Sequence, residues 1–139
     1  MRFIYALLLL IFLGTSVASA ATKDPDAQLT TFLETLRTRK YDGALTNFFT
    51  GSLTGQQKTM ELKAMDGQVK AALEFYGPPM SWEIVETKKI GKDLVNIKFV
   101  SKHKDEMPMF WNALFYRRHE AWEPLGIYFF DDPRKAGFW

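Results

Sequence analysis

Apolar positions follow one rhythm as far as Tyr76 and another beyond it. Leu29, Phe32, Leu33 and Leu36 recur at intervals of three and four, the spacing of a helix with one buried face. Asp24 suits the N-cap of that helix, and Pro25 its first turn, where no backbone N–H is needed. Asp26 and Glu34 come early while Arg37, Arg39 and Lys40 come late, the order a helix dipole favours. A break near Lys40 leads through Tyr41-Asp42-Gly43 into a short second helix with Ala44, Leu45, Phe48 and Phe49 as its apolar side. Thr50 to Gly55 reads as a loop. A third helix is predicted over Gln56 to Tyr76, with Leu62, Met65, Val69, Ala72, Leu73 and Tyr76 on one stripe and Lys63, Asp66, Lys70 and Glu74 off it. Gly77-Pro78-Pro79 stops it, because proline cannot continue the hydrogen-bond ladder.

Past the prolines the period is two. Met80 to Ile90 predicts a strand with Trp82 and Ile84 on one face and Glu83, Val85 and Thr87 on the other. Gly91-Lys92-Asp93 is a turn, and Leu94 to Lys102 a second strand whose Val95, Ile97 and Phe99 share a face. The charged loop Lys102 to Glu106 leads to an aromatic hairpin, Met109 to Asp131, with the polar turn Arg117 to Ala121 in its middle. Loops this short between successive strands imply an antiparallel meander. Three N-terminal helices followed by a four-stranded antiparallel sheet is an α+β plan with the helices on one face. One aromatic face of the hairpin is therefore expected outside. Trp111 and Phe115, which share a face, are the candidates for an interface with a second copy or another partner. Asn112 and Tyr116 lie on the opposite face of that strand.

Composition changes this picture mainly at the start of the chain. Ile4 to Leu13 is an unbroken apolar run after Arg2, and Ala18-Ser19-Ala20 offers small residues for cleavage. This is the pattern of a secretory signal peptide, and the run is about half of the ~20 residues a spanning helix needs. Residues 1–20 are therefore expected to be removed; taking 20 from 139 leaves a mature domain of 119 residues, 21–139, with no membrane segment after cleavage. The chain has no cysteine, so an exported form is held by packing alone, which suits the bacterial periplasm or secretion. Removing Arg2 from the 18 basic residues leaves 17 against 16 acidic ones, and that balance gives no electrostatic reason to expect nucleic acid.

Candidate chemistry is sparse. His103 and His119 fall in predicted turns among charged residues and are expected to be solvated. No His/Cys cluster or helical His pair exists, so neither a metal site nor a cofactor is expected. Asn112 is the one uncharged polar residue in an apolar strand, and two placements stay open: a buried amide orienting a ligand, or an exposed one on the outer side. Tyr116 and Tyr128 are candidate cavity donors, and Asp131, after Tyr128-Phe129-Phe130, a candidate cavity carboxylate. For each there is a plainer role, as a ring in the sheet or a turn former before Pro133. Phe138 and Trp139 are expected to dock back onto the domain.

The helix ending Arg39-Lys40-Tyr41-Asp42-Gly43-Ala44, the strand after Gly77-Pro78-Pro79, and the ending Trp122-Glu123-Pro124-Leu125-Gly126-Ile127-Tyr128-Phe129-Phe130-Asp131 together resemble the nuclear-transport-factor-2-like superfamily, also called the cystatin-like or SnoaL-like cone fold. The resemblance implies a strongly curved sheet wrapped around the helices, an apolar cavity, and dimers through the open sheet face. That fold carries isomerases, dehydratases, hydrolases and non-enzymatic domains, so it transfers no activity by itself. Three functions follow as expectations. The first is non-catalytic binding of a small apolar ligand or protein partner, as a homodimer. The second is an isomerase or hydrolase using a cavity carboxylate and tyrosine. The third is an inhibitor or immunity-like protein.

Overall fold

The computed structural model describes residues 24–139. The expected signal segment, 1–20, and its cleavage point lie outside the described residues. Among those described, no helix is long and apolar enough to cross a membrane.

Four helices precede four strands: α1 (Pro25–Arg37), α2 (Ala44–Phe48), α3 (Leu53–Gln57) and α4 (Thr59–Tyr76), then β1 (Ser81–Ile90), β2 (Leu94–Lys102), β3 (Pro108–Arg118) and β4 (Ala121–Phe130). The α+β plan stands, with one helix more than expected. Part of the predicted loop folds as α3, because Ser52 caps it, its hydroxyl accepting from the Gly55 N–H at 2.9 Å. Gly55 is required there: a Cβ would sit 2.2 Å from the Phe49 carbonyl oxygen. Lys58, at φ −120°, then separates α3 from α4. At α1 the expected cap forms, with Ala27 N–H donating to Asp24 Oδ1 at 2.7 Å and Pro25 in the first turn.

The strands form one open antiparallel sheet in the order β1-β2-β3-β4. Register decides which face of the hairpin is covered. Val95, Ile97 and Phe99 of β2 stand opposite Phe115, Ala113 and Trp111 of β3. That shared face packs against the helices, and Trp111, Phe115 and Ala113 are 0% exposed. The expectation that Trp111 and Phe115 form an interface is therefore corrected: they are the centre of the core. Trp111 stacks on Phe99 with centroids 5.5 Å apart and meets Phe32 edge-on and Phe129 at a tilt. These rings occupy the space between sheet and α1, where the resemblance implied a cavity. Fully burying each such side chain stabilises the fold by roughly 1.5–3 kcal/mol.

Two bulges bend the sheet. Val85 is an extra residue in β1 opposite Lys98–Phe99, and Leu125 an extra residue in β4 opposite Leu114–Phe115. The two outer strands differ sharply. At β4, Gln28 Nε2 donates to the Trp122 carbonyl at 2.8 Å and Thr54 Oγ1 to the Leu125 carbonyl at 2.9 Å, so helix side chains engage its backbone. At β1, every residue from Glu83 to Ile90 is exposed.

The β3–β4 turn is tighter than predicted. It consists of His119 and Glu120 alone, both at positive φ, 50° and 64°. A two-residue hairpin of this kind favours Asn-Gly, because other side chains are strained in the left-handed region. Replacing His119-Glu120 by Asn-Gly is expected to stabilise the domain by about 1 kcal/mol, seen as a higher urea midpoint at unchanged slope.

Candidate functional site

The predicted site residues do not converge. Asn112 lies half-buried on the outer face of the sheet, between two partners: it accepts from Asn96 Nδ2 and donates from Nδ2 to the Ala136 carbonyl at 3.2 Å. Its amide ties the C-terminal segment to the sheet. Phe138 docks on Phe110 in the same region, ring centroids 5.3 Å apart, while Trp139 is 81% exposed. Tyr116, also on the outer face, stands between Leu94 and Glu123 at the far end of β3. Tyr128 and Asp131 border two different cavities.

The first cavity, about 190 Å³, lies between the α3–α4 corner and β4. Phe49, Leu62, Met65 and Ile127 make its apolar floor. Lys58, Glu61, Thr54 and Tyr128 supply polar groups around it. The bulge at Leu125 and the Thr54 hydrogen bond to its carbonyl set the distance between helix and strand here. The Tyr128 ring lies over Gly126. The second cavity, about 240 Å³, opens where β4 ends, with Phe129 and Phe130 beside Tyr76, Asp131 and Lys135. Asp132, next in the chain, is not free for a ligand. Its side chain accepts from the Arg134 side chain and backbone, which together hold its carboxyl below the usual range.

Three polar constellations, two buried and one partly so, were not anticipated. The first is Asp66, expected off the apolar stripe of the third helix but only 9% exposed. Its carboxylate accepts from the Leu45 N–H at 2.7 Å, the Thr46 N–H at 3.2 Å and the Thr46 hydroxyl at 2.6 Å. It therefore caps the first turn of α2 from α4, a job that Gly43, at the N-cap position with no side chain, cannot do.

The second is a chain of hydrogen bonds through His103. This residue was expected to be solvated, and it is 0% exposed. Trp111 Nε1–H donates to Ser101 Oγ at 2.8 Å, Ser101 Oγ lies 2.7 Å from His103 Nε2, and His103 Nδ1 lies 2.8 Å from the Gly77 carbonyl. A carbonyl can only accept, so the proton sits on Nδ1. Nε2 is then the acceptor, and the Ser101 hydroxyl donates to it while accepting from the indole. Every member is satisfied with the imidazole neutral. Burial lowers the His103 pKa, opposed in part by the bond to Gly77. The serine and histidine are close enough for proton transfer, yet Ser101 is 0% exposed, so the pair ties β2 to the end of α4 rather than meeting a substrate.

The third is Glu123 in β4. Burial alone would raise its carboxyl pKa. Hydrogen bonds from Arg118 Nε at 2.9 and 3.0 Å and from the Leu53 N–H at 2.9 Å outweigh that and hold it below the usual range. Glu123 thus joins the first turn of α3 to the β3–β4 hairpin. Among the described residues, no group of three or more His, Cys, Asp or Glu side chains is arranged to hold a metal ion.

No family model matches this sequence, and no curated protein matches it. Among solved structures it is similar to a Campylobacter jejuni protein described provisionally as an NTF2-like transpeptidase. The superposition has a TM-score of 0.56 at 14% identity and covers 73% of this chain and 97% of that one. Helices packed on one face of an open four-stranded meander, together with that match, give the chain the NTF2-like fold.

Proposed function

We propose that this domain is an exported binding module whose groove between α3, α4 and β4 receives a single bulky apolar side chain of a protein partner. The size of the groove carries the reading. At about 190 Å³ it is smaller than the roughly 300–1,000 Å³ of pockets that enclose a drug-sized molecule. It suits one anchoring residue of a larger surface. One residue of its lining extends the contact outward: Tyr128, 58% exposed. Tyrosine is enriched among residues that dominate interfaces. Export rests on the apolar run Ile4–Leu13 and the Ala18-Ser19-Ala20 site.

A photo-crosslinking amino acid at Glu61, an exposed residue of the groove's lining, is expected to give one discrete adduct in cells, absent when the same group is placed at Lys92 on the β1–β2 turn. Tyr128→Ala is expected to weaken that partner's binding by about 30-fold without unfolding the domain. Equal adducts from both positions, or binding indifferent to Tyr128→Ala, would overturn the proposal.

A second reading draws on the cavity at the end of β4, where Asp131 and Tyr76 face one apolar wall, the carboxylate and tyrosine an isomerase or hydrolase of this fold would use. It requires turnover that Asp131→Asn abolishes and Tyr128→Ala leaves intact.

A further inference from the structure

β1 is an open strand edge, and its sequence is complementary to itself in one register. Among the described residues its only strand partner is β2, and each residue from Glu83 to Ile90 is exposed. Ile84, Val85 and Ile90 are large apolar side chains exposed at 40%, 53% and 46%. β4, the other outer strand, has backbone carbonyls taken by Gln28 and Thr54. An unpaired edge is a template for another strand, and proteins blunt such edges with lysine and bulges. β1 carries both, in Lys88, Lys89 and the Val85 bulge. These features discourage an arbitrary strand. They do not discourage one that sets glutamate opposite lysine.

Alternation narrows the choices for a second copy paired antiparallel about a twofold axis. Glu86, Lys88 and Ile90 share one face and Thr87 and Lys89 the other, since they stand opposite Lys98, Asn96 and Leu94, and Ile97 and Val95, of β2. Residues opposite each other must share a face, so the axis must pass through a residue. Centred on Glu86 it opposes two glutamates; on Lys88 or Lys89, two lysines. Centred on Thr87 it sets Glu86 of each copy opposite Lys88 of the other, twice, with Thr87 opposite Thr87; Ile84, opposite Phe99 beyond the Val85 bulge, is on the other face from Ile90 and takes no part. Opposite charges and threonine pairs are favourable cross-strand combinations. Glu86 is already oriented by Lys98, 2.9 Å away, which leaves its carboxylate free to accept from a second lysine.

We propose that two copies of this chain associate edge to edge through β1, antiparallel and centred on Thr87, to make one continuous eight-stranded sheet. The contact is separate from the groove at β4 and stands whether or not that groove binds a partner.

The chain has no cysteine, so introduced thiols report without background. Opposed residues in antiparallel strands have Cα atoms about 4.5–5.5 Å apart, within disulfide range. Thr87→Cys is expected to oxidise to a covalent dimer in the mature chain, and Lys88→Cys, which is self-opposed only in the rejected register, is not. Glu86→Lys and Lys88→Glu each place like charges opposite each other twice and should weaken self-association on the order of tenfold. Mixing these two variants restores both pairs, so heterodimers should form where neither variant self-associates. Sedimentation at matched concentrations reads this out, and circular dichroism confirms that each variant is folded. A Thr87→Cys chain that crosslinks no better than Lys88→Cys, or a mixture that stays monomeric, overturns the proposal.

Discussion

Asp66→Ala is expected to destabilise the domain by about 3 kcal/mol and lower its melting temperature by roughly 10–15 °C. The aspartate accepts three hydrogen bonds from the first turn of α2, two of them from backbone N–H groups. Loss of a helix cap alone costs up to ~2 kcal/mol, and an orphaned buried donor costs 1–3 kcal/mol. The Leu45 N–H has no route to water, because Leu45 is 0% exposed. Asp66→Asn should cost less, since one amide oxygen still accepts. Thermal unfolding of the two variants beside the parent checks this order; equal losses would mean that the site requires the full carboxylate, with both oxygens, and that one amide acceptor does not serve.

Stability is also expected to fall as the pH drops below neutral, and His103 should account for most of that fall. The folded state lowers the histidine's pKa below its ordinary 6.5, chiefly through burial. Above about pH 7.5 the imidazole is neutral both folded and unfolded, so its contribution is fully present. As pH falls through 6.5 the unfolded chain takes up a proton that the folded chain resists. Folding then weakens by up to about 1.4 kcal/mol per pH unit until the lowered folded pKa is reached. Protonation of Nε2 also removes the acceptor of the Ser101 hydroxyl, and that serine then faces a second donor in addition to Trp111. Urea midpoints from pH 8 to 5 measure the effect. His103→Gln should flatten the curve in that window and lower stability at pH 8 by about 2 kcal/mol. Carboxylates held below their usual range, Glu123, Glu86 and Asp132, weaken the fold only at more acidic pH.

The element order, the antiparallel meander and the α1 cap were legible from periodicity and turn chemistry. The orientation of the hairpin was not, because both faces of β3 are bulky and alternation cannot rank them. The loop between β2 and β3 could have. It pairs Lys102 with Pro108, which sets Phe99 against Trp111 and puts the aromatic side under the helices. Asp66 was misread by its chemistry. Leu62, Asp66, Val69 and Leu73 are spaced four, three and four apart, and all four are buried, so the carboxylate was on the stripe all along. His103 follows the same logic at period two. Val95, Ile97, Phe99, Ser101 and His103 alternate inward without a break. The charged neighbours Lys102 and Lys104 suggested a wet turn, but alternation decides orientation within a strand and its immediate extension. A polar residue in phase with a buried face signals a partner across the fold. The groove at β4 had no comparable signal, since it depends on a bulge that places Leu125 between two registers.

The sheet is gripped unevenly, and this gives the domain a gradient of local stability. Backbone groups of β4 are held from outside by Gln28 and Thr54, and the middle strands lie under the aromatic core. β1 has β2 along one edge and no strand described along the other, and from Glu83 to Ile90 its residues are exposed. Opening that leaves the rest of the fold intact therefore begins at β1, with its outer amides the first to exchange with solvent. A second copy seated on β1 would supply the missing hydrogen bonds at the strand that lacks them, so association and resistance to local unfolding would rise together.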